Sequence, residues 1–184
     1  MSRPQPCGSA HRNETVVMPR LVIDIGRQTL LLEDPEGERS YPISSALNGP
    51  GEQFNSGCTP RGLHIVRAKI GDRQPLNTVF RGRRPTGEIY DAQLGLRYPE
   101  RDWVLTRILW LSGCEPGRNR LGLVDSMRRY IYIHGCPDSE PMGVPRSHGC
   151  IRMRNAHVLD LFDRIPVGTA VLIRYCLLYT SDAA

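Results

Sequence analysis

The residues best suited to chemistry in this 184-residue chain are a cysteine and a histidine sixteen positions apart. His134 ends the run Tyr130-Ile-Tyr-Ile-His134-Gly135-Cys136, and Cys150 sits in Ser147-His148-Gly149-Cys150-Ile151-Arg152. A thiol with a base in reach is a nucleophile for acyl transfer. Alternation along the first run sends Ile131 and Ile133 to the core and Tyr130, Tyr132 and His134 to the other face. Gly135 is expected to end that strand, leaving the imidazole at a cleft. Pro137, Pro141 and Pro145 stiffen the return loop and reduce the entropy lost in bringing Cys150 back to His134.

Gly149 removes a Cβ where a substrate carbonyl must approach, and the amides of Gly149 and Cys150 are expected to donate to a developing oxyanion. His134 and the N-terminus of a following helix would both lower the thiol pKa. Ser147 and His148 are placed to orient the base or line the pocket, and Arg152 to hold a substrate carboxylate or carbonyl. Two other readings stay open on these residues alone. One is an inert buried cysteine beside a hydrogen-bonded histidine. The other is a zinc site on His134, Cys136, His148 and Cys150, although its one-residue spacings are tighter than usual.

The elements that must position these groups are mostly strands. Leu21, Ile23 and Ile25 alternate, Thr29 to Glu33 follows, and Asp34-Pro-Glu-Gly37 turns the chain into a third strand near Arg39 to Ile43, forming a meander. Leu63 to Ile70, Thr106 to Leu111, Tyr130 to His134 and Thr169 to Arg174 complete the strands, while Gly71 to Arg101 reads as a long irregular connection. Val158, Leu159, Phe162 and Ile165 recur at helical spacing, with Asn155 as the expected N-cap and Pro166 and Gly168 closing the helix. His64 and His157 are expected to be at least partly solvated, and Cys58 and Cys114 to be small buried fillers. Residues 1–19 read as a disordered lead-in, 20–175 as one β-rich domain and 176–184 as a disordered or non-native tail.

Composition narrows the function classes. The formal charge is +5, and only Lys69 among the 24 cations is lysine, so the surface is almost purely guanidinium. Aromatics are 7% and no basic stripe carries stacking platforms, which argues against nucleic acid. No apolar run approaches the ~18 residues of a membrane-spanning helix. Six irregular cysteines do not make a disulfide scaffold.

The Ser-His-Gly-Cys-Ile-Arg hexapeptide, preceded by His134-Gly135, closely resembles the signature of the L,D-transpeptidase catalytic domain, the YkuD family. Thr59-Pro-Arg-Gly62, Met142-Gly-Val-Pro-Arg-Ser147 and Val167-Gly-Thr-Ala-Val171 are similar to it too, so the resemblance spans about residues 20 to 174. It implies packed, mostly antiparallel or mixed sheets with a short helix after the cysteine. It implies Cys150 as nucleophile and His134 as general base, with Ser147, His148 and Gly149 in supporting or oxyanion roles and Arg152 and Tyr132 facing substrate. The partners implied are two peptidoglycan stem peptides, donor and acceptor, with release of D-alanine and no metal or cofactor. An L,D-carboxypeptidase using the same acyl-enzyme and a zinc-stabilised, non-catalytic wall-binding module are the alternatives. The family implies a periplasmic or envelope location, although Met1 to Arg20 holds no apolar export signal. Position 136 is usually threonine or serine in such domains; Cys136 here suggests an oxidative disulfide with Cys150.

Overall fold

Among the described residues the chain folds into ten strands, and alternation of buried and more open side chains marks the first two. Leu21 and Ile23 of β1 (Arg20–Asp24) and Leu30 and Leu32 of β2 (Thr29–Asp34) point inward, and β3 (Gly37–Pro42) completes the expected antiparallel meander. The computed structural model describes residues 18–176, so most of the lead-in and of the tail expected from the sequence lie outside the described residues. The remaining strands are β4 (Gly62–Ile70), β5 (Thr78–Arg81), β6 (Arg84–Ile89), β7 (Val104–Gly113), β8 (Tyr132–Gly135), β9 (Ile151–Met153) and β10 (Ala170–Arg174). They form one curled mixed sheet in the order β3-β2-β1-β10-β4-β7-β5-β6, and β8 joins β9 to β7. Two pairs are parallel, β1 with β10 and β8 with β9. The mainly β fold with a short helix after Cys150 is therefore as expected.

The helix α2 (Asn155–Arg164) buries Val158, Leu161 and Phe162 in the main core. Lys69 closes its far end, its Nζ donating to the carbonyls of Phe162 (2.5 Å) and Ile165 (2.8 Å), where a cation meets the negative pole of the helix.

Four expectations fail. Residues 71–101 are not an irregular connection: they hold β5, β6 and the helix α1 (Ala92–Arg97). Asn155 is not the N-cap; it is the first helical residue, and its buried carboxamide accepts from Thr106 Oγ1 (2.6 Å) and donates to the Cys136 carbonyl (2.8 Å). His64 is buried rather than solvated, donating from Nδ1 to the Gly62 carbonyl and accepting at Nε2 from Ser126 Oγ. Cys114 is exposed, not a core filler.

Candidate active site

The parallel pair β8–β9 sets the register of the site. His134 lies opposite Arg152, and two residues earlier the Tyr132 amide donates to Cys150 Sγ at 3.4 Å. Cys150 and His134 therefore share one sheet face as diagonal neighbours, about 8 Å apart in Cα from strand rise and spacing. In the resting structure the thiol donates to the Tyr130 carbonyl (3.4 Å). His134 Nδ1 faces the Gly135 carbonyl at 2.8 Å. A carbonyl only accepts, so Nδ1 carries the proton and Nε2 keeps the lone pair a base needs.

Gly135 ends β8 from inside it, as the last residue of the strand, paired with Leu105 and Met153. A Cβ there would collide with the Asn155 amide oxygen and stand 2.8 Å from the Leu105 carbonyl, so glycine lets β7, β8 and α2 close around the histidine. Glycine at 149 answers to backbone shape. Its φ of +134° is one that side chains disfavour, and a Cβ would press on the Cys58 carbonyl and Ile131 at 3.3 Å.

The return loop is held from three sides. Ser44 and Arg152 exchange both backbone hydrogen bonds at 2.9 Å, and the Arg146 and Ser147 amides both donate to the Ser45 carbonyl. Arg154 fastens the loop by donating to the carbonyls of Asp138 and Glu140. Ser147 Oγ accepts from the Gly149 amide (3.2 Å) and donates to the Cys150 carbonyl (2.5 Å). That contact occupies the Gly149 amide, so of the two amides expected at an oxyanion only that of Cys150 is without an acceptor among the described residues.

Two cavities meet at His148. One, of about 540 Å³, is lined by charged groups including Asp102, Glu140, Arg146 and Arg152; the other, of about 420 Å³, by Phe54, Arg129, Tyr130 and Ile131. His148 itself is exposed, its Nδ1 3.2 Å from Asp102. Asp102 also accepts from Arg152 at 2.7 Å, and Glu140 lies 3.6 Å from the same guanidinium. The Tyr132 ring is not open to substrate in the way expected. It packs with Phe80 and Ile108, and its hydroxyl accepts from Arg83 (3.1 Å), so the amide is what it gives the sulfur.

The electrostatics also depart from expectation. Burial pushes the Cys150 thiol up to about 12; the Asp102 carboxylate adds to this, while the Tyr132 amide, Arg152 and Arg129 work against it. The strand β9 stands between Cys150 and α2, so the helix terminus does not follow directly on the thiol. Burial likewise holds His134 below its ordinary value. Thiol and imidazole are both neutral at rest. Asp102 stays ionised: burial pushes it up, but Arg152, His134 and His148 outweigh that and hold it below the usual carboxylate range.

The zinc arrangement does not form, since no three His, Cys, Asp or Glu side chains converge among the described residues. Nor does the register allow a Cys136–Cys150 bond. Cys136 donates its amide to Met153, four residues along the strand from Tyr132, or about 13 Å. A disulfide needs Cα atoms within about 7 Å. Both cysteines are free, and burial pushes Cys136 up to about 12 as well.

Asp102, Thr59 and the Tyr130 carbonyl are site groups that the chemical reading of the sequence did not single out. Thr59 Oγ1 donates to the Gly149 carbonyl, and Asp102 reaches Arg152 across fifty residues. Only the Thr-Pro-Arg-Gly resemblance pointed at the first, and no local pattern marks the second.

Residues 18–173 match the L,D-transpeptidase catalytic domain, YkuD. YqjB of Bacillus subtilis strain 168, named as an L,D-transpeptidase, is 56% identical over 45 residues, which are 24% of this chain and 26% of that protein. The chain thus matches about a quarter of the length of that curated relative. The L,D-transpeptidase of Xylanimonas cellulosilytica shares the fold with a TM-score of 0.54 and 22% identity, over 94% of this chain and 65% of that one. L,D-transpeptidase 3 of Mycobacterium tuberculosis, in complex with a faropenem-derived adduct, shares it at a TM-score of 0.52 and 16% identity, over 85% of this chain and 60% of that one. The matched span runs from β1 into β10 and takes in both His134 and Cys150; the chain belongs to the family of L,D-transpeptidase catalytic domains.

Proposed function

We propose that residues 20–175 form a cysteine acyltransferase that cross-links peptidoglycan stem peptides in the cell envelope. The observation that carries this reading is the β8–β9 register, which sets a thiol and an imidazole with a free Nε2 on one face beside a charged cavity. The family match and the penem-derived adduct of the mycobacterial relative support it.

Rotation of the Cys150 side chain from the Tyr130 carbonyl toward His134 brings sulfur and Nε2 together, since catalytic hydrogen bonds are often completed only with substrate. Sulfur attacks the carbonyl joining the third stem residue to the terminal D-alanine as Nε2 takes the thiol proton. The Cys150 amide donates to the oxyanion. The C–N bond breaks, D-alanine leaves with the proton from His134, and a thioester remains. The side-chain amine of a second stem attacks the thioester, passes a proton to Nε2, and the thiol is restored. Ser147 and Gly149 hold the turn, and Arg152, fixed by Asp102, presents its guanidinium to substrate. Among the described residues no helix is long and apolar enough to cross a membrane.

Incubation with tetrapeptide stems followed by mass analysis tests the reading. Cross-linked dimers and free D-alanine are expected; tripeptides alone would mean hydrolysis, and no product would defeat acyl transfer. Cys150→Ala and His134→Ala should each abolish turnover, and a carbapenem should add its mass to Cys150 in the unaltered protein.

A further inference from the structure

The cavity that shares His148 with the charged one contains a cation held by neutral oxygens. Arg129 is half-buried, and no carboxylate lies within salt-bridge distance of it among the described residues. Its guanidinium donates to the carbonyls of Gly51 (3.1 Å), Glu52 (2.7 Å) and Cys58 (2.6 Å) and to Ser56 Oγ (3.3 Å). The nearby Glu52 carboxylate is engaged by Arg61 at 2.7 Å. A half-buried charge held by neutral oxygens alone is not cancelled by a partner of opposite sign, so its field acts on the groups around it.

The loop that Arg129 gathers lies under the nucleophile. The Cys58 carbonyl it holds stands 3.3 Å from where a Gly149 Cβ would be, and the next residue, Thr59, donates to the Gly149 carbonyl. Arg129 also precedes Tyr130, whose carbonyl accepts the Cys150 thiol, and it lines one cavity wall with Ile131 and His148. We propose that Arg129 is a positioning residue for Cys150: its fork ties the 51–58 loop beneath the Gly149–Cys150 turn, and its unpaired charge favours the thiolate that forms as substrate is attacked. The inference deepens the acyl-transfer reading and rests on Cys150 being the nucleophile.

The charged and titratable groups around the sulfur act in both directions. Asp102 disfavours the thiolate, Arg152 and Arg129 favour it, and the Tyr132 phenol and the neutral His134 share its surroundings. Burial in turn holds Arg129 below its ordinary range, while Cys58, Glu52 and Cys150 draw it back up.

Alkylation of Cys150 by iodoacetamide, located by peptide mapping, tests this without any stem substrate. Below the thiol midpoint the rate follows the thiolate fraction, tenfold per pH unit. At pH 8, Arg129→Gln should slow alkylation about tenfold, the effect of roughly one unit, whereas Arg129→Lys, which keeps the charge, should stay within about threefold of the unaltered protein. A staple with no electrostatic part, once loosened, would expose the sulfur and speed the reaction, so an unchanged or faster rate in Arg129→Gln overturns the proposal. Should that variant not fold, Arg129→Lys decides through its rate of acylation by a carbapenem. A several-fold loss with alkylation held supports the fork, and unchanged acylation overturns it. Failure of the unaltered protein to cross-link stems, with these alkylation rates as expected, would count against the function alone.

Discussion

Thr59 Oγ1 donates to the Gly149 carbonyl at 3.0 Å while accepting from the Ala46 amide at 3.0 Å, so one buried hydroxyl ties the 46–59 loop to the residue before Cys150. Thr59→Val keeps the shape and leaves a buried N–H and a buried C=O unmet. We expect a stability loss of about 2 kcal/mol and an acylation rate about tenfold lower, the factor that roughly 1.4 kcal/mol of lost positioning gives. Thr59→Ser should restore both. Urea unfolding and the rate of carbapenem adduct formation check the pair; a full-rate Thr59→Val would remove Thr59 from the site.

The resting site holds a neutral thiol and a neutral imidazole, which fixes the shape of the pH–rate profile. In the proposed mechanism His134 must be unprotonated to act as base, and burial holds its pKa below 6.5, so the acid limb of kcat/KM should have its midpoint below 6.5. With Cys150 up to about 12, no thiolate–imidazolium pair exists to be lost at mildly alkaline pH, and the profile should stay flat from about pH 7 to 9. A bell falling near pH 8.5 would show an ion pair at rest and contradict the neutral assignment.

The shared face of Cys150 and His134 was legible because both signals are local: alternation fixes the face of the histidine, and two short motifs bracket a proline-stiffened loop. The meander was legible for the same reason. Residues 71–101 were not. Strand β6, Arg-Pro-Thr-Gly-Glu-Ile, is mostly exposed and carries no apolar alternation, and α1 contains Gly95 and buries no residue. The thiol pKa was misread because sequence shows which charges are near in the chain but not what surrounds the sulfur in space. Asn155 was misread because its capping propensity is overridden by a tertiary partner, Thr106. A bulge in β7 between Leu105 and Ile108 falls at this residue, whose φ is +68°.

That bulge gives Gly135 its importance. Three steps on β7, from Leu105 to Ile108, match one on β8, from Gly135 to His134, and the Asn155 carboxamide closes against the glycine. Gly135→Ala must push either Asn155 or the Leu105 backbone away, an overpacking cost of about 1–3 kcal/mol. His134, adjacent and bonded to the Gly135 carbonyl, should shift with it. We expect adduct formation to fall further than stability does, measured by acylation kinetics and thermal unfolding on one sample. Full activity with lowered stability would place the strain away from His134.

His64, outside the site, should govern acid stability. Burial lowers it to about 4 from an ordinary 6.5, and its two ring nitrogens are satisfied in the neutral form by Gly62 and Ser126. Between those values the unfolded chain binds the proton and the folded chain does not, so stability rises with pH there and is lost as pH falls from 6.5 toward 4. The shift of roughly 2.5 units corresponds to about 3 kcal/mol at full effect. His134, lowered by burial too, adds loss of the same sign. Urea midpoints taken from pH 7 to pH 4 should therefore fall steeply, and His64→Gln, which keeps a donor and an acceptor without a titrating group, should flatten the decline. An equally steep decline in that variant would assign the acid sensitivity to other groups.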